Sequence, residues 1–261
     1  MSKKTITNIQ CIDYIVCGYN HYWNMLGNMR GIQNHTENVD LNWLSGDVSC
    51  AYHIKFNGPD YEKEVANIAK KVKAGKLPGR LLITPYSAPS DIDICDMFLS
   101  HSGFGKEIDC GMAKELSAEA VLTVPPKNIN LFRVSEIHQL KISGAIFNAA
   151  FNYDLFSFEH YLDAFNNPSV RFYMAEYNGI PAGACMSIWG DDFIEIAWVG
   201  TLPGYRRKGI AGYLISMAER DAVLKGRLIS VLSAFPGAIN AYSRIGYEKC
   251  CQINMICYDP A

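Results

Sequence analysis

Residues 61–73 repeat apolar side chains at the i, i+3, i+4 and i+7 spacing that places them on one face of an α-helix. These residues are Val65, Ile68, Ala69 and Val72. Asp60 suits the start of such a helix and Gly75 its end. The pattern predicts an amphipathic helix, then a short strand at 80–84 and a second helix at 92–100. Residues 1–58 show no clear period.

The pattern is sharper in the second half of the chain. Strands are predicted at 130–134, 171–177, 182–189, 193–201 and 227–233, with a final strand pair at 247–258. Helices are predicted after Ser135 as an N-cap, from Ser157, over about 207–224, and over 238–244. Asn178-Gly179 and Gly190-Asp191 are turn signals between strands. The order predicts an α/β fold with a mixed α+β sheet rather than a regular βαβ array.

Two adjacent prolines near the midpoint predict a domain boundary. Pro125 and Pro126 stand within Thr123–Asn128, where they prevent a helix and favour an extended linker. The sequence therefore predicts an N-terminal domain over 1–122 and a C-terminal domain over 123–261.

Composition narrows the class of protein. Among 261 residues, 49% are apolar and 19% are charged, with a net charge of −2, which excludes a disordered chain and disfavours a protein that coats nucleic acid. The nine cysteines have no Cys-x-x-Cys spacing, so neither a structural zinc site nor a disulfide framework is expected. No signal peptide and no apolar run of about twenty residues is found. We therefore expect a cytoplasmic protein with no metal, nucleic-acid or membrane partner.

The segment 199–211 carries the clearest chemistry. A predicted strand ends, three basic residues follow at Arg206, Arg207 and Lys208, and a helix begins at once. Backbone N–H groups at the start of a helix bind anions, and Gly209 lets a phosphate approach the main chain. A Walker A loop is excluded because Ile210 stands where lysine is required. A solvated basic turn before an ordinary helix is the alternative.

The run from Arg206 to Ala211 resembles the Arg/Gln-x-x-Gly-x-Gly/Ala signature of the GNAT superfamily of acyl-CoA-dependent N-acyltransferases. Asn240–Tyr247 resembles the tyrosine-containing segment of that family, which ends in Gly-Phe or Gly-Tyr, and the likeness covers about 128–258. The resemblance implies a GNAT fold. It also implies that backbone amides in the signature hold the pyrophosphate of acetyl-CoA. The signature residues are Arg206, Arg207, Lys208, Gly209, Ile210 and Ala211.

The same resemblance assigns further residues to the cofactor. Backbone groups of Trp198, Val199 and Thr201 would pair with the pantetheine arm like an added strand, and an N–H there would stabilise an oxyanion. Asn240 would contact the same arm. Tyr242 would contact the cofactor and protonate the departing thiolate; packing alone is the alternative role for Tyr242.

Glu195 is the candidate general base. It is the one charged residue in the strand-like run 193–199, and alternation predicts that it shares a face with Ala197 and Val199. A carboxylate in a partly dry cleft has a raised proton affinity, which suits removal of a proton from an amine. Some GNAT members place a glutamate base eleven residues before the signature, as Glu195 precedes Arg206. A glutamate on a wet strand face is the alternative.

The N-terminal half resembles the degenerate first half of tandem GNAT proteins, in features such as Asn42–Gly46 and Met112–Leu116. Such a half would have no acetyl-CoA site of its own and would form one side of the acceptor cleft. An unrelated α+β cap is the alternative. In GNAT proteins the loop between the first two helices borders the acceptor site, so Asn152, Tyr153 and Asp154 are candidate acceptor contacts.

The function predicted is an N-acetyltransferase that moves an acetyl group from acetyl-CoA to a primary amine by direct attack in a ternary complex. The acceptor would be a small molecule or a peptide, and the protein a monomer or homodimer. The alternative is a non-catalytic acyl-CoA-binding regulatory protein. A nucleic-acid-binding module that uses Arg206–Lys208 is disfavoured by the overall acidity.

Overall fold

The computed structural model describes residues 7–30, 32–35, 38–44, 49–117, 125–152 and 158–260. The chain forms two compact units, each built from several segments. Unit 1 comprises Met1–Gly18, Met112–Leu232 and Ser243–Glu248, and unit 2 comprises Tyr19–Gly111, Ser233–Tyr242 and Lys249–Ala261. The predicted boundary between 122 and 123 falls within 118–124, outside the described residues, and stays a prediction.

The described elements follow one another in this order: α1 (Asn8–Arg30), β1 (Ile32–His35), β2 (Val39–Leu44), β3 (Cys50–Phe56), α2 (Tyr61–Lys73), β4 (Arg80–Ile83), α3 (Ile94–Leu99), β5 (Phe104–Glu115), β6 (Ile129–Arg133), α4 (Ile137–Phe151), α5 (Phe158–Asn166), β7 (Val170–Tyr177), β8 (Ile180–Trp189), β9 (Phe193–Thr201), a 3₁₀ turn (Pro203–Tyr205), α6 (Ile210–Val223), β10 (Ile229–Ala234), α7 (Ile239–Ser243) and β11 (Glu248–Tyr258).

The sheet of unit 1 is mixed. Strands β6, β7, β8 and β9 pair antiparallel in that order, and β10 pairs parallel to β9. A Cβ on Gly200 would meet Phe147 and Ala150 of α4, whereas one on Gly183 would meet Ile210 of α6. Since Gly183 and Gly200 point to opposite faces of the ladder, α4 and α6 cover opposite faces of this sheet. The predicted mixed α/β fold is confirmed.

Unit 2 is built around a second set of strands. Strands β1, β2 and β3 pair antiparallel, β3 and β4 pair parallel, and β4 pairs antiparallel with β11. Helix α2 begins and ends as predicted: Asp60 accepts a hydrogen bond from the Lys63 amide, and Gly75 follows with φ 67°. Its apolar face packs into the core with Leu81 and Phe98.

Several elements differ from the sequence pattern. The predicted final strand pair is wrong, because β11 is one strand that pairs with β4 over Asn254–Cys257 instead of folding back. Ser135 is not the N-cap of α4; Glu136 is, and the Gln139 side chain accepts the amide hydrogens of both residues. Helix α1, 23 residues long, and strand β5 lie where the sequence predicts no element.

Candidate active site

The turn between β9 and α6 has two left-handed residues. Arg206 is extended, whereas Arg207 has φ 63° and Gly209, the N-cap of α6, has φ 79°. These conformations hold residues 206–209 outside the helix, which begins at Ile210 and not near 207 as predicted. The N-cap residue Gly209 has no side chain with which to cap the N terminus of α6. Its first amides and the positive end of the helix dipole therefore remain available to an anion.

Arg206 ties this turn to two other elements. Its guanidinium donates to the carbonyl oxygen of Ala150 at 2.9 Å, through one terminal nitrogen, and to that of Thr201 at 3.3 Å, through Nε. Ala150 lies in the last turn of α4, where carbonyl groups lack helical partners and favour a cation. The Arg206 side chain therefore fixes the shape of the turn.

The other signature residues differ in how far their side chains are exposed to solvent. Lys208 Nζ lies 4.8 Å from the ring centre of Tyr177, and Arg207 is exposed. Ile210 is 1% exposed and its side chain packs in the core, so only its backbone is placed to reach a ligand. Ala211 is half-buried in the first turn of α6.

Strand β9 changes partners along its length. Its ladder with β10 covers Phe193–Glu195, while its ladder with β8 continues to Thr201. The hydroxyl Oγ1 of Thr201 is buried and has no hydrogen-bond partner. The end of β9 next to the signature turn thus offers a polar group that nothing within the described structure satisfies.

A β-bulge corrects the predicted facing of Glu195. Ser187 pairs with Ile196 and Met186 with Trp198, so Ala197 is the extra residue. Because the bulge shifts the alternation, Glu195 shares a face with Trp198 and not with Ala197 and Val199 as the pattern predicts. The Trp198 ring lies on α4, with centroid distances of 5.1 Å to Phe151 and 6.4 Å to Phe147.

Glu195 is a buried carboxyl group without a partner on one oxygen. The residue is 5% exposed, and its Oε2 has no hydrogen-bond partner. Burial raises its pKa to about 8. The predicted alternative of a wet strand face is therefore wrong for its environment, although its role in catalysis stays a prediction.

Helix α1 supplies the neighbour that the sequence did not indicate. A Cβ built on Gly18 would lie 3.0 Å from Glu195 Oε2, so the helix backbone packs directly against the carboxyl group. Tyr14, one turn earlier, donates a hydrogen bond to Asp192 Oδ2 at 2.6 Å. A helical period was missed here because apolar, polar and aromatic residues alternate without a dominant face.

A second buried glutamate in unit 1 is fully partnered. Glu219 of α6 accepts from Lys114 Nζ at 2.7 Å and from the Tyr247 hydroxyl at 2.9 Å. Tyr247 also exchanges a hydrogen bond with Ser230. Burial raises the pKa of Glu219, while the Lys114 charge and these hydrogen bonds oppose the rise. Sequence reasoning did not single out Glu219 or Lys114.

The remaining predicted residues are not tested. Asn240 is exposed and Tyr242 half-buried on α7, and both belong to unit 2. Asn152 follows α4 in a left-handed conformation, with φ 60°. Tyr153 and Asp154 lie outside the described residues.

Among the described residues, no three or more His, Cys, Asp or Glu side chains are grouped to bind a metal ion, and no helix is long and apolar enough to cross a membrane.

Comparison with known protein families supports the fold of unit 1 and the assignment of the turn between β9 and α6. Residues 139–247, less than half of the chain, match the model of the Acetyltransferase (GNAT) family. This segment is therefore similar to a GNAT acetyltransferase domain. It contains β9, the signature turn and α6. The search of curated protein sequences gave no match.

Solved structures resemble the chain beyond that domain. A GCN5-related N-acetyltransferase from Kribbella flavida is 18% identical with a TM-score of 0.67, covering 95% of this chain and 96% of its own. A GCN5-related N-acetyltransferase-like protein from Streptococcus suis has 13% identity, a TM-score of 0.58, and coverage of 97% and 100%. A third, from Sphaerobacter thermophilus, has 16% identity, a TM-score of 0.61, and coverage of 83% and 75%. At these identities the likeness shows the fold; a tandem origin of the two units stays a prediction.

Proposed function

We propose that the protein transfers an acetyl group from acetyl-CoA to a primary amine while both substrates are bound. The GNAT domain supports an acyl-CoA N-acetyltransferase activity in general terms. Holding the two reactants together removes much of the entropy cost of a bimolecular step. No covalent enzyme intermediate is needed.

One observation carries the cofactor assignment: the N terminus of α6 has a glycine as its N-cap and follows a left-handed turn at Arg207 and Gly209. The pyrophosphate of acetyl-CoA would bind the amides of Arg206–Ala211, with Arg207 and Lys208 adding positive charge. Backbone groups of Trp198, Val199 and Thr201 would hold the pantetheine arm. Asn240 is assigned to the same arm by the family resemblance alone. The buried hydroxyl of Thr201 has no partner and fits a polar group of that arm.

Bound acetyl-CoA supplies the thioester carbonyl that the amine attacks. Glu195 accepts the proton that the amine must lose. Because its pKa is about 8, this carboxyl group binds a proton more tightly than an ordinary glutamate and still ionises in mildly alkaline solution. Tyr242 donates the proton that the leaving thiolate needs, an assignment that rests on the family resemblance.

Calorimetric titration with acetyl-CoA tests the cofactor site. Ala211→Glu places a negative charge in the first turn of α6, where the dipole favours it, so folding should be kept while the pyrophosphate is repelled. Ser216→Glu, further along α6, is the matched control. We expect micromolar binding by the wild type and the control, and at least tenfold weaker binding by Ala211→Glu, since one unfavourable charge contact of about 1.4 kcal/mol is tenfold.

Absence of binding by acetyl-CoA and by longer acyl-CoAs would overturn the proposal. Binding without CoA release in the presence of any primary amine would instead favour the non-catalytic acyl-CoA-binding protein. In an active enzyme, Tyr242→Phe should slow turnover and leave acetyl-CoA affinity unchanged.

A further inference from the structure

Three arginines gather around Trp189 at one end of the sheet of unit 1. The guanidinium carbon of Arg171 lies 5.0 Å from the centre of the Trp189 ring, and that of Arg227 lies 4.8 Å from it. Arg133 lies opposite Tyr173 in the β6–β7 ladder, which makes it a diagonal neighbour of Arg171 on the same face. We refer to Arg133, Arg171, Arg227 and Trp189 as the arginine–tryptophan cluster.

Main-chain carbonyl groups hold two of these guanidinium groups in place. The Nη1 atom of Arg171 donates to the carbonyl oxygens of Pro168 and Val170. Arg227 donates through Nε to the carbonyl oxygen of Gly190 at 2.7 Å, and through Nη1 to a carbonyl of the α6–β10 turn at 3.3 Å. Among the described residues, Nη2 of neither arginine has a hydrogen-bond partner. Each guanidinium group therefore keeps N–H donors for a ligand.

No carboxylate pairs with these arginines. Within the described part of the chain, no Asp or Glu oxygen lies within 4.0 Å of a nitrogen of Arg133, Arg171 or Arg227. Asp221 of α6 pairs instead with Arg220, at 3.7 Å. Burial and the charges of Arg133 and Arg227 lower the pKa of Arg171, while the charge of Asp221 opposes the shift. The like charges therefore repel one another, and a bound anion would offset that repulsion.

The donors of the cluster suit phosphoryl groups. A guanidinium group is planar, and its paired N–H groups match two oxygens of a phosphate. The guanidinium carbons of Arg171 and Arg227 lie within about 10 Å of each other, because both pack on the Trp189 ring. An anion with two linked phosphoryl groups can therefore contact both. The arginines and the ring are half-buried, which strengthens such contacts relative to those in open water.

The cluster lies away from the signature turn. In the β8–β9 ladder, Trp189 pairs with Ile194, whereas Gly183 pairs with Thr201, next to the turn. Six residues of extended strand separate Trp189 from Gly183, which corresponds to about 20 Å. A pyrophosphate bound by the first amides of α6 therefore does not reach the cluster.

We propose that the arginine–tryptophan cluster binds a ligand that carries two linked phosphoryl groups, at a site separate from that of acetyl-CoA. Arg171 and Arg227 each donate from Nη2 to a phosphoryl oxygen. Arg133, which is exposed, adds positive charge from the neighbouring strand β6. This site does not depend on acetyl transfer.

Calorimetric titration with inorganic pyrophosphate, on the wild type and on Ala211→Glu, tests the proposal. The variant repels an anion at the signature turn, so the binding that it retains reports the second site. We expect Ala211→Glu to bind one equivalent of pyrophosphate with a submillimolar Kd. Inorganic phosphate should bind at least tenfold more weakly because it contacts one guanidinium group at a time. Loss of pyrophosphate binding in Ala211→Glu would place the anion at the signature turn and overturn the proposal.

ADP, titrated into the same variant, identifies the source of the two phosphoryl groups. Binding as tight as that of pyrophosphate would assign the site to a nucleoside diphosphate. Weaker binding would assign the site to a free diphosphate, and both results retain the proposed chemistry.

Variants of the cluster locate the contact. Arg133→Gln removes an exposed charge and should weaken pyrophosphate binding at least threefold. Lys127→Gln, at an exposed lysine just before the same strand, is the control and should leave the Kd unchanged. Arg171→Lys with Arg227→Lys keeps both charges but loses the planar donors, and should weaken binding at least tenfold. Should this double variant fail to fold, Arg133→Gln still decides. An unchanged Kd in Arg133→Gln would overturn the assignment to this cluster.

Discussion

Two buried glutamates in the same unit have opposite surroundings. Glu219 has a lysine and a tyrosine hydroxyl within hydrogen-bond distance, whereas Glu195 has an oxygen with no partner and a helix backbone packed against it. Both carboxyl groups are almost fully removed from water. Burial of a carboxyl group costs stability unless hydrogen bonds and opposite charge compensate it.

The difference separates a structural role for Glu219 from the catalytic role that we propose for Glu195. The contacts of Glu219 join α6 to Lys114 and Tyr247 and satisfy the buried charge. Glu195 Oε2 has no hydrogen-bond partner. The ionised form of this buried carboxyl group is therefore unfavourable, and the group binds a proton more tightly than an ordinary glutamate. Strongly shifted pKa values are concentrated at functional sites. The predictions below test this contrast.

Loss of the Glu195 carboxyl group should have the largest effect. Glu195→Gln keeps the shape and removes the base, so turnover should fall by about 10²–10⁴-fold, the usual contribution of general base catalysis. Acetyl-CoA affinity should stay within about twofold, and stability should not fall because no charged contact is lost. Steady-state kinetics and calorimetry check both parts, and unchanged turnover would remove Glu195 as the base.

Loss of the Lys114 charge should act on stability. Lys114→Met leaves Glu219 buried without its cation, which should lower the free energy of unfolding by about 3 kcal/mol. Lys225→Met, at an exposed lysine after α6, is the control and should change stability by less than about 0.5 kcal/mol. Urea denaturation measures both variants. A loss below about 1 kcal/mol would show that the Lys114–Glu219 pair adds little.

The pH dependence of stability should reveal the raised pKa of Glu195. The pKa is about 8 in the folded protein against 4.5 for an ordinary glutamate. The folded state holds its proton in this interval while the unfolded state releases it, so stability falls as pH rises from 4.5 to about 8. The slope is at most about 1.4 kcal/mol per pH unit. Glu195→Gln should lack this part of the slope, and identical pH profiles for the two proteins would contradict the raised pKa.

Two helix glycines give the finest test of the packing. A Cβ on Gly18 would meet Glu195 at 3.0 Å, whereas one on Gly212 would meet only Ile245, at 3.7 Å. Glycine to alanine in a helix gains about 0.5–1 kcal/mol, so Gly212→Ala should be stabilised. Gly18→Ala should lose about 1 kcal/mol net, because overpacking outweighs that gain. Thermal unfolding compares them, and equal stabilisation of both would refute the close contact.

The sequence predicts several regular elements of both units well. Strand β9 and helix α2 begin and end where the apolar pattern places them. The positive φ of both Asn178 and Gly179 agrees with the predicted hairpin turn. Local patterns suffice here because each element buries one clear face or is bounded by turn residues.

Features that depend on distant contacts could not be predicted. The bulge at Ala197 changes the face of Trp198, and no local signal marks it. The contact of Gly18 with Glu195 joins residues far apart in the chain. The sequence predicts that Arg206 adds positive charge to a phosphate site. In the structure its side chain donates a hydrogen bond to the carbonyl oxygen of Ala150. In each case tertiary packing decides the outcome.

The pH dependence of kcat/KM for an amine acceptor, measured on the wild type and on Glu195→Gln, tests the central claim most directly. The ratio of the two values cancels the titration of the amine itself. We predict that this ratio rises with pH and levels off above about 8, where the Glu195 carboxyl group is ionised. A ratio that stays near one, or that does not vary with pH, would contradict the assignment of Glu195 as the general base.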